Sequence, residues 1–162
     1  CAVQAALAAG AAHVSAIHTV EERLAVARGC GAHAVQLTEE DPRAVVKQLT
    51  EGRGVDVAVE AVGDARALDL AIRMARKCGT VSIIGVYAER TDVHMGLAWI
   101  KSLNLVGGQA NVIAHLDPVL ALLASGRIDP SPLVTHHMPL SDAPHAYEIY
   151  DRREALKIVL TP

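Results

Sequence analysis

Aromatic side chains are scarce in this sequence, which has no Phe, one Trp and three Tyr among its 162 residues. Platforms that stack nucleic-acid bases and aromatic belts at a membrane surface both need such side chains, so neither is expected. A basic stripe is lacking too, because Lys and Arg are mixed evenly with Asp and Glu and the formal net charge is -3. Nucleic acid is therefore not an expected partner.

Cysteine is rare and scattered. Cys1, Cys30 and Cys78 form no Cys-x-x-Cys pair, so neither a disulfide framework nor a structural zinc site is expected within the chain, and a reducing cytoplasm fits best. No apolar run reaches the roughly 18 residues of a membrane helix, so no membrane span is expected. The hydrophobic content of 51% is enough for a sizeable core, which must be built from Ala, Val, Leu and Ile.

Short apolar strands alternate with helical segments along the chain. Such alternation predicts an α/β fold with a parallel sheet covered by helices on both faces, because parallel neighbours need crossover connections. The predicted strands are 13–17, 33–37, 55–60, 79–85 and 103–106, and the predicted helices are 2–9, 20–29, 41–49, 64–77 and 111–125. After Pro130 and Pro132, segment 133–140, a helix over 141–150 and strand 156–160 form a distinct closing unit.

Ligands of open parallel sheets bind beyond the carboxyl ends of the strands. Those ends are His18 and the segments 60–63, 84–86 and 106–108. Three of the four contain glycine, which lets a ligand approach the backbone closely. One glycine is ordinary at the end of a strand, but the coincidence at three ends indicates a binding edge.

Several blocks resemble the cofactor domain of medium-chain dehydrogenases, namely 14–24, 31–32, 56–63 and 79–86. The tail blocks 127–136, 139–147 and 157–160 resemble the return into the catalytic domain of zinc-type alcohol dehydrogenases. Their order and spacing cover nearly the whole chain. The resemblance implies a Rossmann fold, a doubly wound parallel sheet lacking its first strand and glycine-rich turn. It implies a dinucleotide-binding domain over 1–132 and a return segment over 133–162.

The same resemblance implies a site for NAD or NADP. Its residues would be His18, Arg23, Ala61, Val62, Ile84, Gly85, Val86, Leu105, Val106 and Lys157. His18 stands where the family usually has an acid that binds the adenosine ribose, which leaves the choice between NAD and NADP open. Lys157 corresponds to a basic position that reaches the pyrophosphate. Glu60 is interpreted only as a strand-end acid.

No residue of the chain is expected to be catalytic. In zinc-type relatives an N-terminal catalytic domain supplies the zinc ligands, and the phosphate-binding turn would stand just before Cys1. The adjacent His136 and His137 are not expected to share a metal, since neighbours on a strand point to opposite faces. We expect the sequence to be a fragment, the ordered part of a longer molecule, or a chain that borrows a strand, and to be inactive alone.

The resemblance implies that a complete protein transfers a hydride between an alcohol or aldehyde and NAD(P). The alternatives are a zinc-free quinone-reductase type of the same superfamily and a nucleotide-free structural or interaction domain. A methyltransferase would also alternate strands and helices, but the closing unit after Pro132 speaks against it. The apolar segment 93–103 precedes the last sheet strand and predicts a homodimer or homotetramer.

Overall fold

The computed structural model describes all residues, 1–162. Seven helices and seven strands follow one another along the chain, with 3-10 helices at Ser131–Leu133 and Leu140–Asp142. In chain order the elements are α1 (Ala2–Ala8), β1 (Ser15–His18), α2 (Glu21–Gly29), β2 (His33–Gln36), α3 (Pro42–Leu49), β3 (Val55–Glu60), α4 (Ala65–Met74), β4 (Ala75–Ile83), α5 (Met95–Ile100), β5 (Asn104–Gly107), α6 (Val112–Ala124), β6 (His136–Pro139), α7 (Ala143–Asp151) and β7 (Ile158–Thr161). None of the helices combines the length and the apolar composition that crossing a bilayer requires.

Every strand pairing is parallel, which confirms the predicted α/β class. The strands form three sheets, of order β1-β2, β3-β4-β5 and β6-β7. β1 and β3 each keep one edge without a strand partner.

The chain contains two compact units. The first comprises residues 1–38 and 113–162, and the second comprises residues 39–112. In the first unit, Leu24 of α2 and Val35 of β2 are fully buried, and α7 contributes Ala146 and Ile149 to the interior. The predicted division of the chain at residue 132 stays a prediction.

The core of the second unit lies between its three-stranded sheet and α4. Leu68, Ala71 and Ile72 follow the i, i+3, i+4 spacing of one helical face. They pack against Ala58 of β3 and Val81 of β4, which are also buried. This packing fixes the carboxyl ends of β3 and β4 on a rigid support.

The boundary between α4 and β4 differs from the prediction. The sequence favours a helix as far as residue 77, but α4 ends at Met74 and β4 starts at Ala75. The cause is the Lys101 ammonium, which donates hydrogen bonds to the backbone carbonyls of Ile72, Arg73 and Ala75. A cation on these terminal carbonyls stabilises the end of a helix there.

Two further boundaries show what local sequence does and does not reveal. α3 begins as predicted, with Pro42 in its first turn and the Asp41 carboxylate accepting the Arg43 N–H at 3.0 Å. α5 is not predicted by the sequence, which marks 93–103 only as an apolar segment. Its N-cap is His94, whose Nδ1 accepts the Leu97 N–H at 3.1 Å; histidine is not among the usual N-cap residues.

Candidate functional site

The carboxyl ends of β3 and β4 form one edge of the sheet in the second unit. Glu60 stands opposite Ile83 in the parallel register, so segments 61–63 and 84–86 leave the sheet side by side. Val62, Ile84 and Val86 keep 73%, 54% and 86% of their surface exposed. Adjacent exposed apolar side chains are typical of surfaces that bind a ligand or another protein. We call segments 61–63 and 84–86 the strand-end loops.

Two glycines bring the strand-end loops into backbone contact. A Cβ added to Gly85 would overlap the backbone nitrogen of Gly63, and one added to Gly63 would overlap the carbonyl oxygen of Val86. Gly63 also has a φ of 81°, in the left-handed region that favours glycine. Glycine is therefore required here for the close approach of two loops, beyond merely ending a strand.

Glu60 occupies a more prominent place at this edge than its interpretation as a strand-end acid predicts. Its side chain is 2% exposed, and it is the chain's one buried charged residue. Glu60 Oε1 accepts the N–H groups of Val62 at 2.7 Å and Gly63 at 2.9 Å. Glu60 Oε2 accepts the Tyr87 hydroxyl at 2.8 Å. The signal available in the sequence was an acid in the alternating strand 55–60, at the same parity as the buried Ala58.

Tyr87 follows the second strand-end loop and is half-buried. Burial, together with the hydrogen bond to Glu60, raises the pKa of Tyr87 to about 12. The phenol therefore stays protonated at physiological pH and acts as a donor to the carboxylate. This bond ties the chain after β4 to the last residue of β3.

The two residues predicted on β5 have different environments. Leu105 packs against the core cluster under α4, whereas Val106 is 56% exposed. β5 pairs with β4 so that Val106 stands opposite Ser82. Of these two side chains, that of Val106 faces away from the core. Val106 belongs to the same sheet as the strand-end loops.

In the first unit, His18 ends β1 and contacts the start of α2. The Val20 N–H donates to His18 Nδ1 at 2.9 Å, so a neutral His18 ring carries its proton on Nε2. Arg23 Nη1 lies 3.5 Å from that Nε2. Burial, aided by the charges of Arg23 and Arg153, lowers the pKa of His18 below its usual value. Two donors thus stand together, an arrangement that suits an acceptor oxygen from a ligand.

Lys157 lies just before β7, also in the first unit. Its side chain is exposed. Its backbone carbonyl accepts the Thr135 N–H at 2.9 Å, and Thr135 Oγ1 accepts the Leu156 N–H at 3.1 Å. The backbone around Lys157 is therefore held by Thr135, while its ammonium remains available to an anion.

The predicted site residues thus fall into two groups. The strand-end loops bring together Ala61, Val62, Ile84, Gly85 and Val86, with Leu105 and Val106 on the same sheet. His18, Arg23 and Lys157 belong to the other unit, where His18 and Arg23 are in contact. Nowhere in the chain do three or more His, Cys, Asp or Glu side chains gather as a metal site requires.

Comparison with known proteins defines the family. The family described as zinc-binding dehydrogenase matches residues 1–125. An alcohol dehydrogenase of Cupriavidus necator is 31% identical over 172 residues, covering 100% of this chain and 46% of that protein. An L-threonine 3-dehydrogenase of Bacillus velezensis is 30% identical and covers 99% of this chain and 47% of its own length.

A solved structure agrees with these sequence relatives. Alcohol dehydrogenase TADH of Thermus sp. ATN1 is 40% identical and superimposes with a TM-score of 0.95, covering 99% of this chain and 47% of that one. The chain spans about half the length of the relatives it matches. With a family match over most of its residues and a similar fold, this chain belongs to the zinc-binding dehydrogenase family.

Proposed function

We propose that this chain is the NAD(P)-binding part of an oxidoreductase that interconverts an alcohol and the matching aldehyde or ketone. The nicotinamide ring, when bound, accepts or donates the hydride. The observation that carries the proposal is the pair of strand-end loops, where exposed apolar side chains surround a backbone contact that only glycine permits. Family membership supplies the reaction class.

The strand-end loops have the chemistry that a nucleotide requires. Val62, Ile84 and Val86 offer apolar surface to sugar and nicotinamide rings, and Val106 adds to it from β5. The N–H groups of Ile84 and Gly85 are already bonded to the Glu60 carbonyl, at 2.8 and 3.1 Å. The carboxamide of the nicotinamide would therefore be bound by the carbonyls of segment 84–86 and by the Val86 N–H.

We further propose that the nucleotide is NADP rather than NAD. His18 and Arg23 present donors without a carboxylate between them, and Arg153 adds positive potential at His18. A 2′-phosphate is the ligand group that such donors bind best. Lys157, held by Thr135, would supply a point charge to the pyrophosphate.

The residues of this chain do not fit a zinc ion, since no cluster of ligands is present among them. His136 and His137 are consecutive on β6, and the Nδ1 of His136 lies 2.9 Å from Thr135 Oγ1. We propose that a zinc-dependent reaction would take its ligands from residues other than these 162. No step of the reaction is assigned to a group in this chain, whose part is to bind and orient the nucleotide.

A homodimer is proposed from the surface formed by α5 and β5. Met95, Trp99 and Ile100 are 60%, 80% and 68% exposed, and β5 is an edge strand. A large apolar patch beside an unpaired strand edge is typical of an interface. We also propose a cytoplasmic location, because Cys1, Cys30 and Cys78 are all unpaired.

The dimer is tested with Trp99→Glu. Placing a charge in the patch should convert the protein to monomers, measured by light scattering at micromolar concentration. Tyr147→Glu is the matched control, since Tyr147 is 75% exposed but lies on α7, outside the patch. A monomeric wild type, or a Trp99→Glu variant with unchanged mass, would contradict the interface.

The function is tested by calorimetric titration of the full-length gene product with NAD and NADP, followed by assays with small alcohols. We expect micromolar binding of NADP, weaker binding of NAD and reduction of the nucleotide by an alcohol. The isolated 162 residues should bind either nucleotide only weakly, because they contain no glycine-rich turn that directs N–H groups at a pyrophosphate. A full-length product that binds neither nucleotide would contradict the proposal.

A further inference from the structure

Glu60 holds an unusual number of donors for one residue. Besides the three that its carboxylate accepts, its backbone carbonyl accepts the N–H groups of Ile84 and Gly85. All five donors come from the two strand-end loops and from Tyr87, directly after the second one. Glu60 is thus the point at which both loops are joined.

The Glu60 carboxylate has no basic side chain bonded to it. Taking a charge out of water without an opposite charge is costly, and a well-packed apolar residue would stabilise the core more. Its three hydrogen bonds offset part of that cost. A costly group that joins two loops is better explained by the positions it imposes on them than by stability.

The alternative to this joined arrangement is a pair of independently moving loops. Val62 and Val86 are mostly exposed, so apolar packing alone does not fix where they lie. The two glycines let the loops come into backbone contact, because no side chain stands between them. This contact supplies no attraction that would hold the loops together. Without the Glu60 carboxylate and the Tyr87 hydroxyl, the Glu60 backbone carbonyl would still hold Ile84 and Gly85. A nucleotide would then have to order residues 62–63 and 86–87 as it binds, and its affinity would fall by that ordering cost.

We propose that Glu60, through Tyr87, is a positioning residue that sets the two strand-end loops at the spacing needed to bind the nucleotide. This inference rests on the proposed function, since it names the residue that prepares the proposed nucleotide site. Glu60 itself touches neither substrate nor cofactor. Tyr87 transmits the constraint to the loop after β4.

The test uses Tyr87→Phe in the full-length gene product. The variant removes one hydroxyl and leaves Glu60 bonded to Val62 and Gly63, so the fold should survive. We expect the KM and Kd for the nucleotide to rise roughly tenfold, a typical size for coupling between groups in one protein. At saturating nucleotide, kcat should stay within about twofold of wild type, since the bound nucleotide then orders the loops itself.

Two further variants make the result specific. Glu60→Gln keeps an oxygen for the two backbone N–H groups and can donate from its amide to the Tyr87 oxygen, so its KM should be close to wild type. Tyr147→Phe makes the same chemical change at an exposed tyrosine on α7 and should leave KM unchanged. A purely structural role would instead lower kcat, by reducing the folded fraction, and leave KM unaltered.

The outcomes separate this inference from the proposed function. If wild type binds the nucleotide but Tyr87→Phe has the same KM as Tyr147→Phe, the positioning role is overturned and the proposed function stands. If kcat falls while KM is constant, Glu60 and Tyr87 are structural and the inference is again overturned. If wild type binds no nucleotide, the proposed function fails and the inference falls with it.

Discussion

The strand ends of the two units are built in opposite ways. In the second unit, Glu60 and a glycine contact join the loops after β3 and β4 through the backbone. In the first unit, His18 is anchored by one bond from the Val20 N–H, is partly buried, and lies near the charges of Arg23 and Arg153. The bonds in the second unit fix the positions of two backbone loops, whereas the charges in the first unit set the electrostatic potential at His18.

Under the proposed function, this difference assigns nucleotide affinity and nucleotide selectivity to different places. The backbone of the strand-end loops would bind what all nicotinamide nucleotides share, because every such ligand would meet the same loops. The side-chain charge at the end of β1 would discriminate among nucleotides that differ in one phosphate. Mutations in the strand-end loops should therefore change the affinity for both nucleotides, whereas mutations at the end of β1 should change the preference between NAD and NADP.

The largest expected effect belongs to the joined loops. Gly85→Ala would place a Cβ on the Gly63 backbone and 2.5 Å from Glu60 Oε2, so the loops must separate. We expect nucleotide binding to be lost and the free energy of unfolding to fall by roughly 1–3 kcal/mol, as for other overpacked sites. Titration calorimetry and denaturant unfolding measure the two effects.

Gly96→Ala is the matched control for this change. A Cβ at Gly96 meets nothing within 4 Å, and the residue lies within α5 of the same unit. Alanine should there be neutral or stabilising by up to about 1 kcal/mol, with binding unchanged. Normal nucleotide affinity in Gly85→Ala would show that the spacing of the loops is not critical.

An intermediate effect is expected at the end of β1. His18→Asp would repel a 2′-phosphate and pair with Arg23, so NADP affinity should fall roughly tenfold, about 1.4 kcal/mol. NAD affinity should be unchanged or improved, because a carboxylate accepts ribose hydroxyls. Affinities for both nucleotides are measured by titration of the full-length gene product.

His13→Asp makes the same charge change at an exposed histidine of the same unit. It should alter both affinities equally and only slightly, since exposed charges are screened by salt. Equal losses of NAD and NADP in His18→Asp would mean that His18 does not face the adenosine ribose.

The smallest effect concerns pH. The pKa of His18 is lowered from 6.5 in the folded chain, so the unfolded chain binds this proton at a higher pH than the folded one does. The free energy of unfolding should therefore fall as pH drops below about 6.5, until the folded ring is protonated as well. His18→Asn removes this titration, and its stability should fall less than that of wild type between about pH 7 and pH 5. Parallel stability curves for the two proteins would refute the assignment.

Much of the fold could be predicted because its causes are local. Asp41 and Pro42 start α3 through a side-chain bond and a fixed φ, both within three residues. The alternation of short strands and helices determines parallel pairing, whatever the details of packing. The end of α4 could not be predicted, because the cation on its last carbonyls comes from Lys101, 26 residues beyond Ala75.

The candidate site divides in the same way. The sequence by itself determined that segments 60–63, 84–86 and 106–108 are the candidate binding edge. Both the rule for parallel strands and the family resemblance lead to these glycine-containing strand ends. Only the tertiary structure decided that Gly63 touches the loop of Gly85, that Leu105 belongs to the core, and that Glu60 accepts Tyr87 across 27 positions. These contacts join residues that are far apart in the sequence. They depend on the distances between neighbouring strands, which local sequence does not set.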